Sequence, residues 1–398
     1  MTADSLDGLA VFGGEPAFTE PRHVGRPNLG DRARVLELIG DAMDRGWLSN
    51  EGPLHQEFQE CVRELTGVRH CIVVANATVG LQVAAKAMEL EGEVLMPSFT
   101  FIGTPHAVSW IGLRPVFVEI DPRTHTLDPA AVRRAIGPRT AGIVGVHLWG
   151  RSSGATELEA IAAEHGLPLL FDAAHAFGCT AAGRPVATLG DASVVSFHAT
   201  KVVGAGEGGA ILTDDDELAT RCRRMRNFGF VDFDTIGSLA TNAKMNELSA
   251  AMGLASLDAF DGFVAVNRRN YERYVDRLRD VPGVEVIDYA DGDVHNFHYV
   301  VIEVPAAVRD ALLRTLQAEQ VLARRYFYPG CHRQGPYLAD AEPMPITEAV
   351  SDRVVTLPTG MAMSEEDVDG VCAIIRLAMA HADELTRRLA AETADLGR

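Results

Sequence analysis

Leu167-Pro-Leu-Leu-Phe-Asp172-Ala-Ala-His175 and Ala192-Ser-Val-Val-Ser196-Phe-His-Ala-Thr-Lys201 decide how this chain is read. Each is a short apolar run with an ionisable residue at or just beyond its end. Consecutive aliphatic residues with no polar alternation mark a strand covered on both faces, as in a mostly parallel sheet. Similar runs recur at residues 71–75, 94–96, 115–118, 142–146 and 210–213, with helical patterns such as 78–90 and 157–165 between them. The alternation predicts an α/β domain with helices on both sides of a mostly parallel, seven-stranded sheet. Ligands of such sheets sit off the carboxyl ends of the strands, so the residues just after each run are where chemistry is to be sought.

The last third reads differently. A helix over 263–280 is followed by strands at 284–287 and 298–304 and a helix over 307–319. A closing helix opens at Ser364, with Asp367 three residues on as in a capping box, and Val368, Val371, Ile375 and Ala378 on one face. The chain therefore divides into an N-terminal arm (1–25), a large domain (26–262) and a smaller C-terminal α+β domain (263–398). The 398 residues are 47% hydrophobic, enough for two well-filled cores. With 36 Lys+Arg against 55 Asp+Glu, the net charge of −19 argues against nucleic acid or an anionic membrane as partner. The start lacks the basic and apolar regions of a secretory signal, and no stretch is long and apolar enough to span a bilayer. Six scattered cysteines with no C-x-x-C read as reduced thiols in a cytoplasmic protein, not as disulfides or a zinc site. No metal is expected.

Singly, Asp172 reads as a turn or cap residue, Lys201 as a solvated lysine, His175 as a structural histidine and Phe101 as core. Together, the two strand ends call for a cofactor that needs both a carboxylate and an amine. Pyridoxal phosphate is one: its aldehyde condenses with a lysine, and its ring nitrogen needs an acid partner to hold a proton. The turn Asn76-Ala77-Thr78 leaves a strand and opens a helix, so its free backbone N–H groups suit a phosphate. Ser196 adds a hydroxyl, and Phe101 an aromatic face for the ring. Gly204-Ala-Gly206-Glu-Gly-Gly209 matches the spacing of a dinucleotide-binding turn, but it precedes a strand where that turn must open a helix. A nicotinamide dehydrogenase is excluded on that ground.

Taken jointly, Gly46-Trp-Leu-Ser-Asn, Asn76-Ala-Thr, Pro97-Ser-Phe-Thr-Phe101, Val146-His-Leu-Trp-Gly150, Asp172-Ala-Ala-His175, Ser196-Phe-His-Ala-Thr-Lys201, Arg226-Asn-Phe-Gly229 and Asn242-Ala-Lys-Met-Asn-Glu247 resemble the DegT/DnrJ/EryC/StrS sugar aminotransferases, which are fold-type-I pyridoxal-phosphate enzymes. The resemblance runs collinearly along essentially the whole chain. Within the family it is closest to the subgroup of dTDP-4-amino-4,6-dideoxyglucose transaminases. It implies that Lys201 bonds the cofactor aldehyde, Asp172 pairs with the ring nitrogen and His175 sits by the ring hydroxyl, where many members carry Gln. Ala77 stands where a Gly is common; Thr78 and Ser196 would hold the phosphate, and Asn242 would reach it from the partner subunit of a homodimer. Trp47, Arg226, Lys244, Arg324, Arg325 and Tyr326 are candidates for the nucleotide-sugar. The expected reaction moves nitrogen from L-glutamate to C4 of dTDP-4-keto-6-deoxyglucose. The alternatives are amination at C3 or of another keto-sugar, or a catalytically silent protein of the same fold acting as sensor or partner subunit.

Overall fold

The computed structural model describes residues 5–152, 154–340 and 342–396. Its central sheet is built, in chain order, from β1 (His70–Val74), β2 (Glu93–Pro97), β3 (Arg114–Val118), β4 (Thr140–Val146), β5 (Leu169–Asp172), β6 (Ala192–Ser196) and β7 (Gly209–Thr213). Their order across the sheet is β1-β7-β6-β5-β4-β2-β3, and all pairings are parallel except the two made by β7. Each expected run lies in its own strand. Pro168 has no amide hydrogen for a ladder, and β5 begins just after it. β5 then ends on Asp172, which pairs with Val146 of β4 and Val194 of β6.

Both faces of the sheet are covered. Phe171, Val195 and Phe197 pack on one side with Phe58, Phe177 and Leu254. Ile72, Val144, Leu170 and Val194 pack on the other against the helix α1 (Ala77–Ala87). Each fully buried aromatic or aliphatic side chain here contributes roughly 1.5–3 kcal/mol, so the double cover accounts for the unbroken apolar character of the strands. β7 is antiparallel and enters the sheet at the end where the parallel strands leave it. Gly209 therefore pairs with both Ser196 and Val74, and three strands bring their functional ends to one line.

Beyond the sheet, the helix α2 (Phe260–Leu278) joins two cores: Phe263 belongs to the first, Tyr274 and Leu278 to a second. The second core lies under the antiparallel strands β8 (Glu285–Val286), β9 (Val300–Glu303) and β10 (Val354–Leu357). The helix α3 (Glu365–Ala380), expected as the last, is followed by another (Ala382–Leu396); it is capped as expected, with Ser364 and Asp367 exchanging side-chain and backbone bonds, and it buries Val368, Val371, Ile375 and Ala378. The N-terminal arm packs into this second core through Leu6, Leu9 and Phe18. Glu319 fixes the arm by accepting from the amides of Ala10 and Ala17, each at 2.7 Å. No single helix among the described residues is long and apolar enough to cross a membrane.

Candidate active site

A cavity of about 670 Å³ opens off the carboxyl ends of the parallel strands, within the usual size range of small-molecule sites. Its wall includes Ala77, Thr78, Phe101, Asp172, His175, Ser196, Lys201, Arg324 and Tyr326, nine of the expected residues, drawn from five separate stretches of chain.

Asp172 is buried. Its Oδ2 accepts from the Thr104 hydroxyl at 2.7 Å, and its Oδ1 from the Ala174 amide at 3.1 Å. Burial raises its pKa; those two donors and the charge of Lys201 pull it back. Lys201 is part-buried, and loss of solvent lowers its pKa to about 8, opposed by Asp172 and Tyr326. An amine with that pKa is substantially neutral near pH 8, as a nucleophile or proton carrier must be. His175 is held well below the usual histidine range by burial and by the charges of Lys201 and His298. Its Nδ1 accepts from the Trp149 amide at 3.3 Å, so the neutral ring carries its proton on Nε2.

The anion end of the cavity is made of backbone. Asn76 caps α1 by accepting from the Val79 amide at 2.9 Å, while the amides of Ala77 and Thr78 stand in the first turn, beyond the reach of any intrahelical carbonyl. A Cβ on Gly209 would lie 2.7 Å from the Ala77 nitrogen, so β7 passes this turn only because residue 209 has no side chain. Buried carboxylate, depressed amine and open helix start together fit pyridoxal phosphate. Asp172 would hold its ring nitrogen, Lys201 its aldehyde, and Ala77, Thr78 and Ser196 its phosphate.

Five expected residues lie outside the cavity wall. Arg226 acts as an internal brace in its own chain: it is 2% exposed, paired with Glu51, and donates to the Val73 carbonyl at 2.9 Å. Its two terminal nitrogens are spent on Glu51, Gln59 and the Val73 carbonyl inside the protein. Arg325 lies over the Tyr328 ring and pairs with Asp310 at 3.3 Å. Lys244 donates to Asn227 at 3.0 Å and covers Phe228. Trp47 and Asn242 are exposed, away from the cavity of their own chain.

Sequence reasoning missed Thr104, Tyr299 and His298. Thr104 was within reach of it, standing in the first turn of the helix α4 (Gly103–Trp110), which follows the flagged strand end at 97–101. Tyr299 and His298 carried no signal, because they precede β9 in what reads as an ordinary strand, outside the central sheet.

The chain belongs to the DegT/DnrJ/EryC1/StrS aminotransferase family, whose model matches residues 31–376. It is an aminotransferase of the type-I fold. A crystal structure of DesI in the presence of its TDP-sugar product superposes with a TM-score of 0.94 at 51% identity, covering 97% of this chain and 100% of that one. The dTDP-4-amino-4,6-dideoxy-D-glucose transaminase of Shigella dysenteriae is 33% identical over 90% of this chain and 99% of its own length. GDP-perosamine synthase of Vibrio cholerae is 30% identical over 89% of this chain and 98% of its own.

Proposed function

We propose that this aminotransferase binds pyridoxal phosphate and converts dTDP-4-keto-6-deoxy-D-glucose to dTDP-4-amino-4,6-dideoxy-D-glucose, with L-glutamate as amino donor, in deoxysugar biosynthesis. The observation that carries the reading is the convergence of Asp172, Lys201 and the open start of α1 on one cavity. The likeness to DesI with its TDP-sugar product supports the substrate class.

When bound, the cofactor supplies an electron sink for the carbanion formed as nitrogen moves. Asp172 keeps a proton on the ring nitrogen. Thr104, and behind it Thr100 at 3.0 Å, holds the carboxylate in place. Lys201, once freed, moves protons to and from the reacting carbons, since burial lowers its pKa to about 8 and so brings a sizeable neutral fraction within reach near that pH. The Nε2–H of His175 orients the ring hydroxyl. Arg324 and Tyr326, also in the cavity wall, meet the nucleotide-sugar. Asn242 completes the phosphate site of a second copy, making the homodimer the active unit; its exposure outside its own cavity supports this. The free cysteines support a cytoplasmic enzyme.

The test is an absorbance spectrum of the purified protein before and after L-glutamate, followed by dTDP-4-keto-6-deoxyglucose and NMR of the product. A visible cofactor band that glutamate removes, and that Lys201→Ala lacks, is the expected result, with the new amine on C4. Absence of any band after adding pyridoxal phosphate sinks the cofactor reading, and an amine on C3 sinks the substrate assignment.

A further inference from the structure

We propose that Tyr299 is a positioning residue for Lys201: its phenolic oxygen accepts an N–H of the Lys201 amine and so holds that nitrogen beside the reacting carbons. The inference rests on the reading of Lys201 as the reacting amine. Lys201 Nζ lies 3.3 Å from the Tyr299 oxygen and 5.8 Å from the centre of its ring. Among the described residues this is the hydrogen bond the structure gives that nitrogen.

The acceptor is itself held still. The Tyr299 ring lies 4.3 Å from His175, 5.3 Å from Trp149 and 5.0 Å from His298 between centroids. Its backbone carbonyl accepts from the Tyr289 hydroxyl at 2.8 Å. It immediately precedes β9, so the second domain delivers a rigid oxygen into a cavity built mainly by the first. A lysine set free at the end of four methylenes samples many rotamers, and a proton carrier needs few. An oxygen at hydrogen-bond distance restricts the nitrogen in both states, accepting an N–H from the ammonium and able to donate its O–H to the neutral amine. When Lys201 takes up a proton the same oxygen stabilises the ammonium; when the proton leaves, the amine returns to the same place. Tyr299 transfers nothing, and protons balance through Lys201 alone.

The phenol suits that role because it stays protonated, its pKa raised by burial and by the Asp172 carboxylate. The other titratable groups that share charge interactions with Lys201 are Asp172, His175, His298 and Tyr326.

Tyr299→Phe tests this while keeping the ring contacts. In cofactor-free protein, acetylation of Lys201 by acetic anhydride, followed against pH by peptide mass spectrometry, reads the amine directly. Its midpoint is expected near 8 in the parent and about one unit lower in the variant, because the ammonium has lost an acceptor. In holoenzyme, the saturating rate at which glutamate removes the visible band is expected to fall roughly tenfold to a hundredfold, with the half-saturating glutamate concentration unchanged. A variant with both the parent's midpoint and its rate overturns the proposal. So does one whose midpoint is unchanged and whose loss lies wholly in glutamate affinity, which is what a purely structural ring would give. Parent protein that shows no band response defeats the aminotransfer reading instead, and the acetylation midpoint still reports on the Tyr299–Lys201 contact.

Discussion

At the scale of single residues, the site works by setting two buried groups against their natural tendencies. Burial drives Asp172 toward the neutral acid, and the Thr104 hydroxyl and Ala174 amide hold it toward the anion. Removing the hydroxyl leaves a buried carboxylate oxygen short of a donor, which raises the pKa and weakens the grip on a ring proton. Thr104→Val should therefore lower kcat by about tenfold, while Thr104→Ser, which keeps the hydroxyl, stays close to the parent. Steady-state transamination checks this, and equal rates in the parent and the Val variant would sink the role given to Thr104. Legibility at this scale was uneven. Asp172 and Lys201 could be read because each stands beside an apolar run, where an ionisable group needs a reason. Tyr299 could not, because an aromatic residue at the start of a strand needs none.

At the scale of elements, the phosphate end depends on how closely β7 passes the start of α1. Gly209 pairs with Ser196 and Val74, and its missing side chain lets the Ala77 amide face the cavity. Gly209→Ala puts a methyl where backbone atoms stand, at 2.7 Å from the Ala77 nitrogen and 2.9 Å from the Val195 oxygen. Backbone cannot swing aside as a flexible side chain can, so the turn shifts, at a cost of about 1–3 kcal/mol. The expected outcome is at least tenfold weaker binding of pyridoxal phosphate in a fluorescence titration, with far-UV circular dichroism unchanged; binding at parental strength would refute it. The glycine run at 204–209 was visible in the sequence, and its position before a strand was enough to reject a dinucleotide turn. Which glycine makes the close approach was not visible, because that depends on the antiparallel register of β7. The strands themselves were legible to within two residues, since double-sided burial leaves an unbroken apolar signature.

At the scale of the whole molecule, the surface carries what one copy does not use. Between the helix at Asp216–Arg226 and the exposed Asn242, the chain presents Phe228, Phe230, Val231, Phe233, Ile236 and Leu239 to solvent, with Phe233 94% and Leu239 85% exposed. Apolar side chains this bare along one short stretch are the pattern of an interaction surface. The same stretch leads into Asn242, the residue proposed for a partner's phosphate site, so pairing with a second copy would cover the stretch and complete that site in one event. Sequence periodicity could not show this, because the segment is neither helix nor strand and its exposure is a property of the fold. Burying two such side chains contributes roughly 1.5–3 kcal/mol each, or about two to four powers of ten in association. Phe233→Asp combined with Leu239→Asp removes that gain and adds charges that would have to be desolvated. Sedimentation at micromolar concentration should then show a dimer for the parent and a monomer for the double variant. The monomer should keep its fold, bind pyridoxal phosphate more weakly for want of the partner's Asn242, and lose most of its transamination. A double variant that sediments as a dimer, or a monomer as active as the parent, would show that this stretch is covered by something else and that each copy completes its own site.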